Sequence, residues 1–138
     1  MSKRYFGLLG SAKSWHISEL HQKSRRTLVI CQDRKSAEET EADIRFFCGE
    51  SRILAFPDWD ILPFEPLSPQ AYISAQRIES LYHFVHTESF LCITSIDAIA
   101  QRLLPREIIE KLGFKLSANA PFGVDVLRDR LLETGYTE

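Results

Sequence analysis

Two short apolar runs constrain the fold of this 138-residue chain more than any other feature of its sequence. They are TLVIC at 27–31 and FLCIT at 90–94. Continuous runs of this kind are typical of strands buried on both faces of a parallel sheet. RILAF at 52–56 supplies a third strand, and the apolar run at 5–9 leads into a glycine-rich turn as a further one. The sequence therefore predicts an α/β fold, with helices on both faces of a parallel sheet.

Helical patterns separate these strands. One helix begins at Ser11, and a second has the capping-box spacing at 36–39 and ends at Gly49. The segment 56–69 contains four prolines and is predicted to be an irregular loop. Ser68 then caps a long helix. The helical residues predicted to face inward are Ile17, Leu20, Ile44, Phe47, Ala71, Ala75, Ile78, Leu81 and Val85.

Beyond the FLCIT run the predicted elements are shorter. Ser95 caps a short helix, and another short helix follows Pro105. A strand is predicted at 114–117 and a last helix at 124–133, ending at Gly135. The chain is thus predicted to be one domain with a tail.

The composition supports a globular chain, and the sequence shows neither a membrane-spanning segment nor a secretion signal. Hydrophobic residues make up 44% of it and charged residues 26%, enough to bury a core. No run approaches the roughly 18 apolar residues of a membrane span, and the first residues lack a signal core, so a cytoplasmic location is expected. Cys31, Cys48 and Cys92 are predicted to be buried reduced thiols, not disulfides or zinc ligands.

Charge is unevenly distributed behind the net value of −2. Residues 1–35 carry eight Lys or Arg against two acids, whereas residues 36–80 carry nine Asp or Glu against three Arg. The nearly neutral total argues against a surface dedicated to nucleic acid. The cluster of Lys23, Arg25 and Arg26 fits a solvated turn after a helix, with contact to a phosphate or to an acidic partner as the alternative.

The glycine-rich turn resembles a phosphate-binding loop. Its sequence, GLLGSAKS at 7–14, departs from the pattern G-x-x-x-x-G-K-[ST] only where Ala12 replaces the second glycine. In the intact pattern the backbone N–H groups hold phosphates, the lysine reaches their outer oxygens and the hydroxyl holds Mg²⁺. Alanine adds a methyl group and a cost of roughly 1–2 kcal/mol where the backbone is left-handed. The turn is therefore predicted to be a weakened nucleotide site.

Hydrolysis would also need an acid at the end of a strand to hold Mg²⁺ and position water. Asp33 and Asp97, which follow the two apolar runs, do not form the carboxylate pair of a helicase-type motor, and Asp33 fits a helix start or a turn. No Cys or Ser stands in a nucleophile motif, and no metal site is predicted from the four histidines. The chain is therefore predicted not to be an enzyme. A small P-loop nucleotide-binding enzyme that tolerates Ala12, and a nucleic-acid-binding module that uses residues 23–26, are the alternatives.

Two acids flank a tryptophan in the proline-rich loop. Asp58 and Asp60 fall on one side of an extended backbone, as a divalent cation would require. A solvated loop with Trp59 and Phe64 packed inward is the favoured interpretation. Arg77, on the helix that follows, is a charge that pairs with an acid or a phosphate. Trp59, Phe64 and Arg77 are therefore the candidates for a structural or partner-binding loop.

Four features in order resemble one family. They are GLLGSAKS, TLVICQD, DWDILPFEPLSP with QRIESLYHF, and FLCITSIDAIAQRLLP. Together they are similar to the N-terminal region of the bacterial transcription-repair coupling factors, Mfd, whose opening domains resemble the excision-repair protein UvrB. The resemblance implies a degenerate P-loop NTPase architecture, RecA- or helicase-like and similar to UvrB domain 1a, at 1–118. It also implies that residues 119–138 begin a following domain.

The same resemblance assigns the glycine-rich turn, a degenerate Walker A loop, to nucleotide or anion binding. UvrB-like proteins carry an intact loop at the matching place, and Ala12 is the departure from it. The residues that would contact phosphate are Gly7, Gly10, Ser11, Lys13 and Ser14.

For function, the resemblance implies a part of a DNA-repair protein. The full protein would be an ATP-dependent DNA translocase that displaces stalled RNA polymerase at lesions and recruits the nucleotide excision repair machinery. ATP and Mg²⁺ would act in a downstream motor, and no cofactor is expected in this chain. UvrA would be contacted mainly through the next domain, and RNA polymerase and double-stranded DNA through others, with no membrane involved. The chain itself is expected to be a non-catalytic UvrB-like scaffold.

Overall fold

The computed structural model describes residues 2–49, 52–61, 66, 68–114 and 123–133. Phe64, Gly135 and most of the strand predicted at 114–117 lie outside these residues. Two compact units divide the chain, Met1–Leu103 and Leu104–Glu138, and each is described by itself. The elements in chain order are α1 Ala12–Gln22, β1 Arg26–Cys31, α2 Arg34–Cys48, β2 Ile53–Phe56, α3 Ala71–His86, β3 Phe90–Ser95, α4 Ile96–Ala100, α5 Arg106–Leu112 and α6 Val124–Glu133.

The first unit is built on a parallel sheet of three strands in the order β1-β3-β2. The central strand β3 is buried throughout. Leu91 and Ile93 join the core that includes Ile44 of α2. Phe90 stacks on Phe84 of α3, with the ring centroids 5.1 Å apart. Because successive strand residues point to opposite faces, α2 and α3 cover opposite sides of the sheet. The predicted α/β fold with a parallel sheet is confirmed.

Three of the predicted strands are present, and one is wrong. Those at 27–31, 52–56 and 90–94 correspond to β1, β2 and β3. Residues 5–9 form no strand, and the side chains of Phe6 and Leu9 are 86% and 85% exposed. A strand needs a neighbour for its backbone N–H and C=O groups, and none of the described strands pairs with this segment.

The prediction that β1 is buried on both faces is also wrong. Leu28 and Ile30 are 55% and 50% exposed, on the face that carries α3. The reason is topological, because β1 is an edge strand and α3 packs over β2, two strands away. An apolar run of this kind indicates what a strand can bury, not what its neighbours cover.

The inner face of α1 carries several polar side chains. Ser14, Ser18 and His21 are buried there, and Nδ1 of His21 lies 2.9 Å from Oγ1 of Thr27. Burial lowers the pKa of His21. Ile17 packs partly against the core, but the inward position predicted for Leu20 is wrong. The buried face of α1 therefore combines Ile17 with polar side chains that have hydrogen-bond partners, and Leu20 lies outside it.

The predicted face of α3 is displaced around the helix. Its buried residues are Ile73, Arg77, Ser80 and Leu81, of which only Leu81 was predicted. Ile78 is 59% exposed, and the predictions for Ala71 and Ala75 are likewise wrong. The physical reason is that α3 buries polar groups with partners, as when Ser80 Oγ donates to the carbonyl oxygen of Ala55 at 2.7 Å. On α2, Ile44 is fully buried as predicted and Phe47 is half-buried.

Some of the predicted helix ends are confirmed and others are wrong. Asp33, predicted as a helix-start residue, is the N-cap of α2, and its carboxylate accepts from the backbone N–H of Ser36 at 2.7 Å. The cap predicted at 36–39 is therefore wrong by one turn. Gly49 ends α2 with a positive φ of 55° as predicted, and Ser95 caps α4 through the N–H of Ala98. Gln70, not Ser68, is the N-cap of α3.

The cysteines are free, as predicted. Cys31 and Cys92 are buried, whereas Cys48 is half-buried. Burial raises the pKa of Cys92 to about 12, so its thiol stays protonated and inert. In the described part of the chain, no helix is long and apolar enough to cross a membrane. The second unit contains α5 and α6, which confirms the helices predicted after Pro105 and at 124–133.

Candidate functional site

The glycine-rich turn places two glycines in the left-handed region before α1. The φ angles of Gly7 and Gly10 are 73° and 54°, which favour glycine over any other residue. Ser11 is the N-cap of α1, but its side chain makes no capping hydrogen bond. The turn is closed by the N–H of Ala12, which donates to the carbonyl oxygen of Leu9 at 3.2 Å. The turn thus combines two left-handed glycines with the start of a helix, and no strand precedes it among the described residues.

The two side chains that would serve a nucleotide are engaged within the chain. Nζ of Lys13 donates to Oγ1 of Thr40 on α2 at 3.0 Å. The hydroxyl of Ser14 donates to a carboxylate oxygen of Asp43 at 3.3 Å, and Ser14 is only 1% exposed. A phosphate-bound lysine and a magnesium-bound hydroxyl would need both groups turned toward the turn. In this conformation the two side chains connect α1 to α2.

A second group of residues gathers at the end of β2. Arg34, in the first turn of α2, donates through Nε to Asp58 Oδ1 at 3.1 Å, and through Nη2 to the carbonyl oxygens of Asp58 and Trp59 at 3.0 and 3.1 Å. Hydrogen bonding to Asp58 raises the pKa of Arg34. One guanidinium therefore holds both a carboxylate and the backbone that carries it.

Arg77 of α3 contacts the same segment, 57–59, from the other face of the sheet. Its guanidinium carbon lies 4.2 Å from the centroid of Phe56 and 4.3 Å from that of Trp59, and it donates to the carbonyl oxygen of Pro57. Burial lowers the pKa of Arg77, and the charge of Asp58 partly offsets the effect. Arginine remains charged in such a site. Arg34 and Arg77 with segment 57–59 are called the arginine clamp.

The acid pair of the loop has separate structural roles. Asp58 binds Arg34, and Asp60 accepts from the backbone N–H of Gln70 at 3.3 Å, at the start of α3. No group of acids, histidines or cysteines in the described residues could hold a metal ion. Beside the clamp, a cavity of about 40 Å³ at the carboxyl ends of β2 and β3 has room for a few water molecules.

The structure separates the candidate residues into two places. Gly7, Gly10, Ser11, Lys13 and Ser14 lie at the start of α1, whereas Trp59 and Arg77 meet in the clamp. Arg34 was not predicted to take part, because its contact with Asp58 spans 24 positions of sequence. The only signal in the sequence was an arginine directly after Asp33, at the start of a predicted helix.

These features define an α/β module on a parallel sheet, with a glycine-rich turn before its first helix and a clamped loop after its second strand. Sequence relatives are transcription-repair-coupling factors. The chain is 29% identical to that of Myxococcus xanthus over 138 aligned residues, covering 94% of this chain and 12% of the relative. It is 25% identical to that of Haemophilus influenzae over 130 residues, covering 94% and 11%. It is 30% identical to that of Rickettsia prowazekii over 93 residues, covering 67% and 8%.

The resemblance to the transcription-repair coupling factors is therefore confirmed. The chain spans about a tenth of the length of the curated relatives that it matches. No protein-family model matches the chain.

Proposed function

We propose that this chain serves as a non-catalytic, UvrB-like module within a transcription-repair coupling factor. The whole protein displaces stalled RNA polymerase at DNA lesions with ATP and recruits the UvrA-containing excision machinery in the cytoplasm. ATP and Mg²⁺ act in a motor outside this chain. The similarity over 94% of the chain supports the proposal at the level of the family.

One observation carries the non-catalytic role. The Lys13 amine and the Ser14 hydroxyl are hydrogen-bonded to Thr40 and Asp43, so the groups that a nucleotide requires stabilise a helix pair instead. The missing strand before the turn supports the same conclusion, because a phosphate loop needs a rigid strand to position it. We therefore assign Gly7, Gly10, Ser11, Lys13 and Ser14 a structural role that leaves at most weak anion binding.

The proposal is tested by titrating the chain with ATP and Mg²⁺ in a calorimeter. We expect no saturable micromolar binding, either by the natural chain or by its Lys13→Ala variant. The Lys35→Ala variant is the matched control, because Lys35 is an exposed lysine at the start of α2. Micromolar affinity that disappears in Lys13→Ala but not in Lys35→Ala would contradict the proposal and favour a P-loop enzyme.

A further inference from the structure

Positive side chains collect where the three parallel strands begin. Arg26 is the first residue of β1, and Arg52 directly precedes β2. The strand β3 lies between them, since Phe90 N–H donates to the carbonyl oxygen of Arg25 and Leu91 N–H to that of Arg52, each at 2.9 Å. Two strand spacings place the backbones of Arg26 and Arg52 about 10 Å apart. Lys23, Arg25, Arg26 and Arg52 are called the basic edge.

The two central arginines of the basic edge are oriented by partners without negative charge. Nη2 of Arg26 donates to the carbonyl oxygen of Thr87 at 2.9 Å, and its guanidinium lies 5.5 Å from the ring centroid of Phe90. Nη1 of Arg52 lies 2.9 Å from Nδ1 of His83. These contacts restrict the side chains and leave their charge uncompensated.

Three arginines elsewhere in the chain have close carboxylate partners. Arg34, Arg45 and Arg106 are paired with Asp58, Glu41 and Glu110 at 3.1, 2.7 and 2.7 Å. On the basic edge an exposed ion pair joins Arg25 to Glu88 at 3.6 Å, with side chains 83% and 88% exposed. Such an exposed pair is weak. Within the described residues, Lys23, Arg26 and Arg52 have no carboxylate within 4.0 Å, so three charges are available to an anionic partner.

The surroundings of the basic edge favour a phosphate backbone over a protein. Residues 22–27 and 86–90 include none of the large apolar side chains that the structure exposes, and the exposed side chain of Leu28 begins an apolar patch that lies beside the basic edge on β1. Specific protein interfaces have an apolar centre, whereas interfaces with nucleic acid are more polar and strongly positive. The guanidinium group also matches the geometry of phosphate oxygens. We propose that the basic edge binds the phosphate backbone of a nucleic acid, a role beyond the proposed function.

The test is the salt dependence of binding of the whole chain to a short fluorescein-labelled DNA duplex, measured by fluorescence anisotropy. Three phosphate contacts predict a slope of about −2.7 for log K against log salt concentration. Arg26→Gln and Arg52→Gln should each weaken binding and reduce that slope by about 1. The matched control is Lys35→Gln, because Lys35 is an exposed lysine in the first turn of α2, at the other end of the sheet, and should leave the slope unchanged.

A second variant keeps the test valid if the loss of the Arg26 contact with Thr87 weakens folding. Glu88→Gln removes the carboxylate beside Arg25 and leaves every cation in place, so it should tighten binding and steepen the slope. Urea unfolding of each variant monitors the fold. Undetectable DNA binding at low salt, an equal loss in Lys35→Gln, or weaker binding by Glu88→Gln would overturn the proposal. Displacement of DNA by polyglutamate at equal charge concentration would also overturn it, in favour of an acidic protein partner.

Discussion

Arg77 is 3% exposed and yet carries a charge. Burial of a charge is costly unless contacts replace its hydration. Here the guanidinium carbon lies over the rings of Phe56 and Trp59, at 4.2 and 4.3 Å from their centroids, and the carbonyl oxygen of Pro57 accepts one N–H. A desolvated cation over an aromatic ring contributes about 2 kcal/mol. Arg77 is therefore a structural element of the loop that connects β2 to α3.

Replacement of Arg77 should destabilise the chain. In Arg77→Ala the rings of Phe56 and Trp59 lose the cation that contacts them and the Pro57 carbonyl loses its donor, so we expect the free energy of unfolding to fall by about 2–4 kcal/mol. The comparison is Arg34→Ala, which should cost less because the Arg34 side chain is 37% exposed. Urea denaturation followed by circular dichroism measures both. A cost for Arg77→Ala no larger than that for Arg34→Ala would contradict the role of the clamp.

The sequence indicated which of these residues have a structural or binding role, but it did not indicate which partners they contact. Trp59 and Arg77 were singled out because an aromatic loop precedes a helix that carries an unmatched arginine. Asp58 was considered as a metal ligand, whereas it binds Arg34. Partners 24 positions apart become neighbours only when α2 packs beside the end of β2, and no local pattern contains that information.

At the scale of the element, strand positions were the most predictable feature of the chain. The run FLCIT is buried on both faces because β3 is central, and the similar run in β1 is not because β1 lies at an edge. Helix faces were less predictable. Apolar spacing predicted Ile78 on the inner face of α3, but Ser80 and Arg77 occupy that face because partners in and after β2 satisfy their polar groups.

Two serine N-caps provide a matched pair. The hydroxyl of Ser95 accepts from the N–H of Ala98 at 3.2 Å at the start of α4, whereas the side chain of Ser11 makes no capping bond at the start of α1. We expect Ser95→Ala to lower the free energy of unfolding by about 1 kcal/mol and Ser11→Ala to leave it nearly unchanged. Equal effects in thermal or urea unfolding would show that the difference between the two helix starts is not maintained in solution.

At the scale of the whole molecule, the first unit holds the three strands of the described residues and both candidate regions. Its sheet is covered by helices on one face and only in part on the other, where Leu28 and Ile30 remain exposed. The division of the chain at 118 that the resemblance implied stays a prediction, as does the P-loop architecture. Sequence could not give the number of strands, because the apolar run at 5–9 has the composition of a strand without a neighbour to pair with.

The proposed recruitment of UvrA can be tested by comparing this chain with a longer one. If residues 119–138 begin the domain that contacts UvrA, the 138-residue chain should not retain UvrA in a pull-down, whereas a version extended through the parent's next domain should retain it. The extended version with Lys13→Ala is the control and should bind equally, because Lys13 is assigned a structural role. Equal retention by the short and extended chains would instead place the UvrA contact within these residues.

The exposed side of β1 has a consequence for handling the isolated chain. The edge strand β1 exposes the apolar side chains of Leu28 and Ile30, and its outer edge can pair with another extended polypeptide. That polypeptide can be the β1 strand of a second copy of the chain. We therefore expect the isolated chain to aggregate at high concentration through pairing of its β1 edge strands. The substitution Leu28→Lys should reduce this aggregation, because it places a charge on the exposed face of β1 and leaves the buried face of the sheet unchanged.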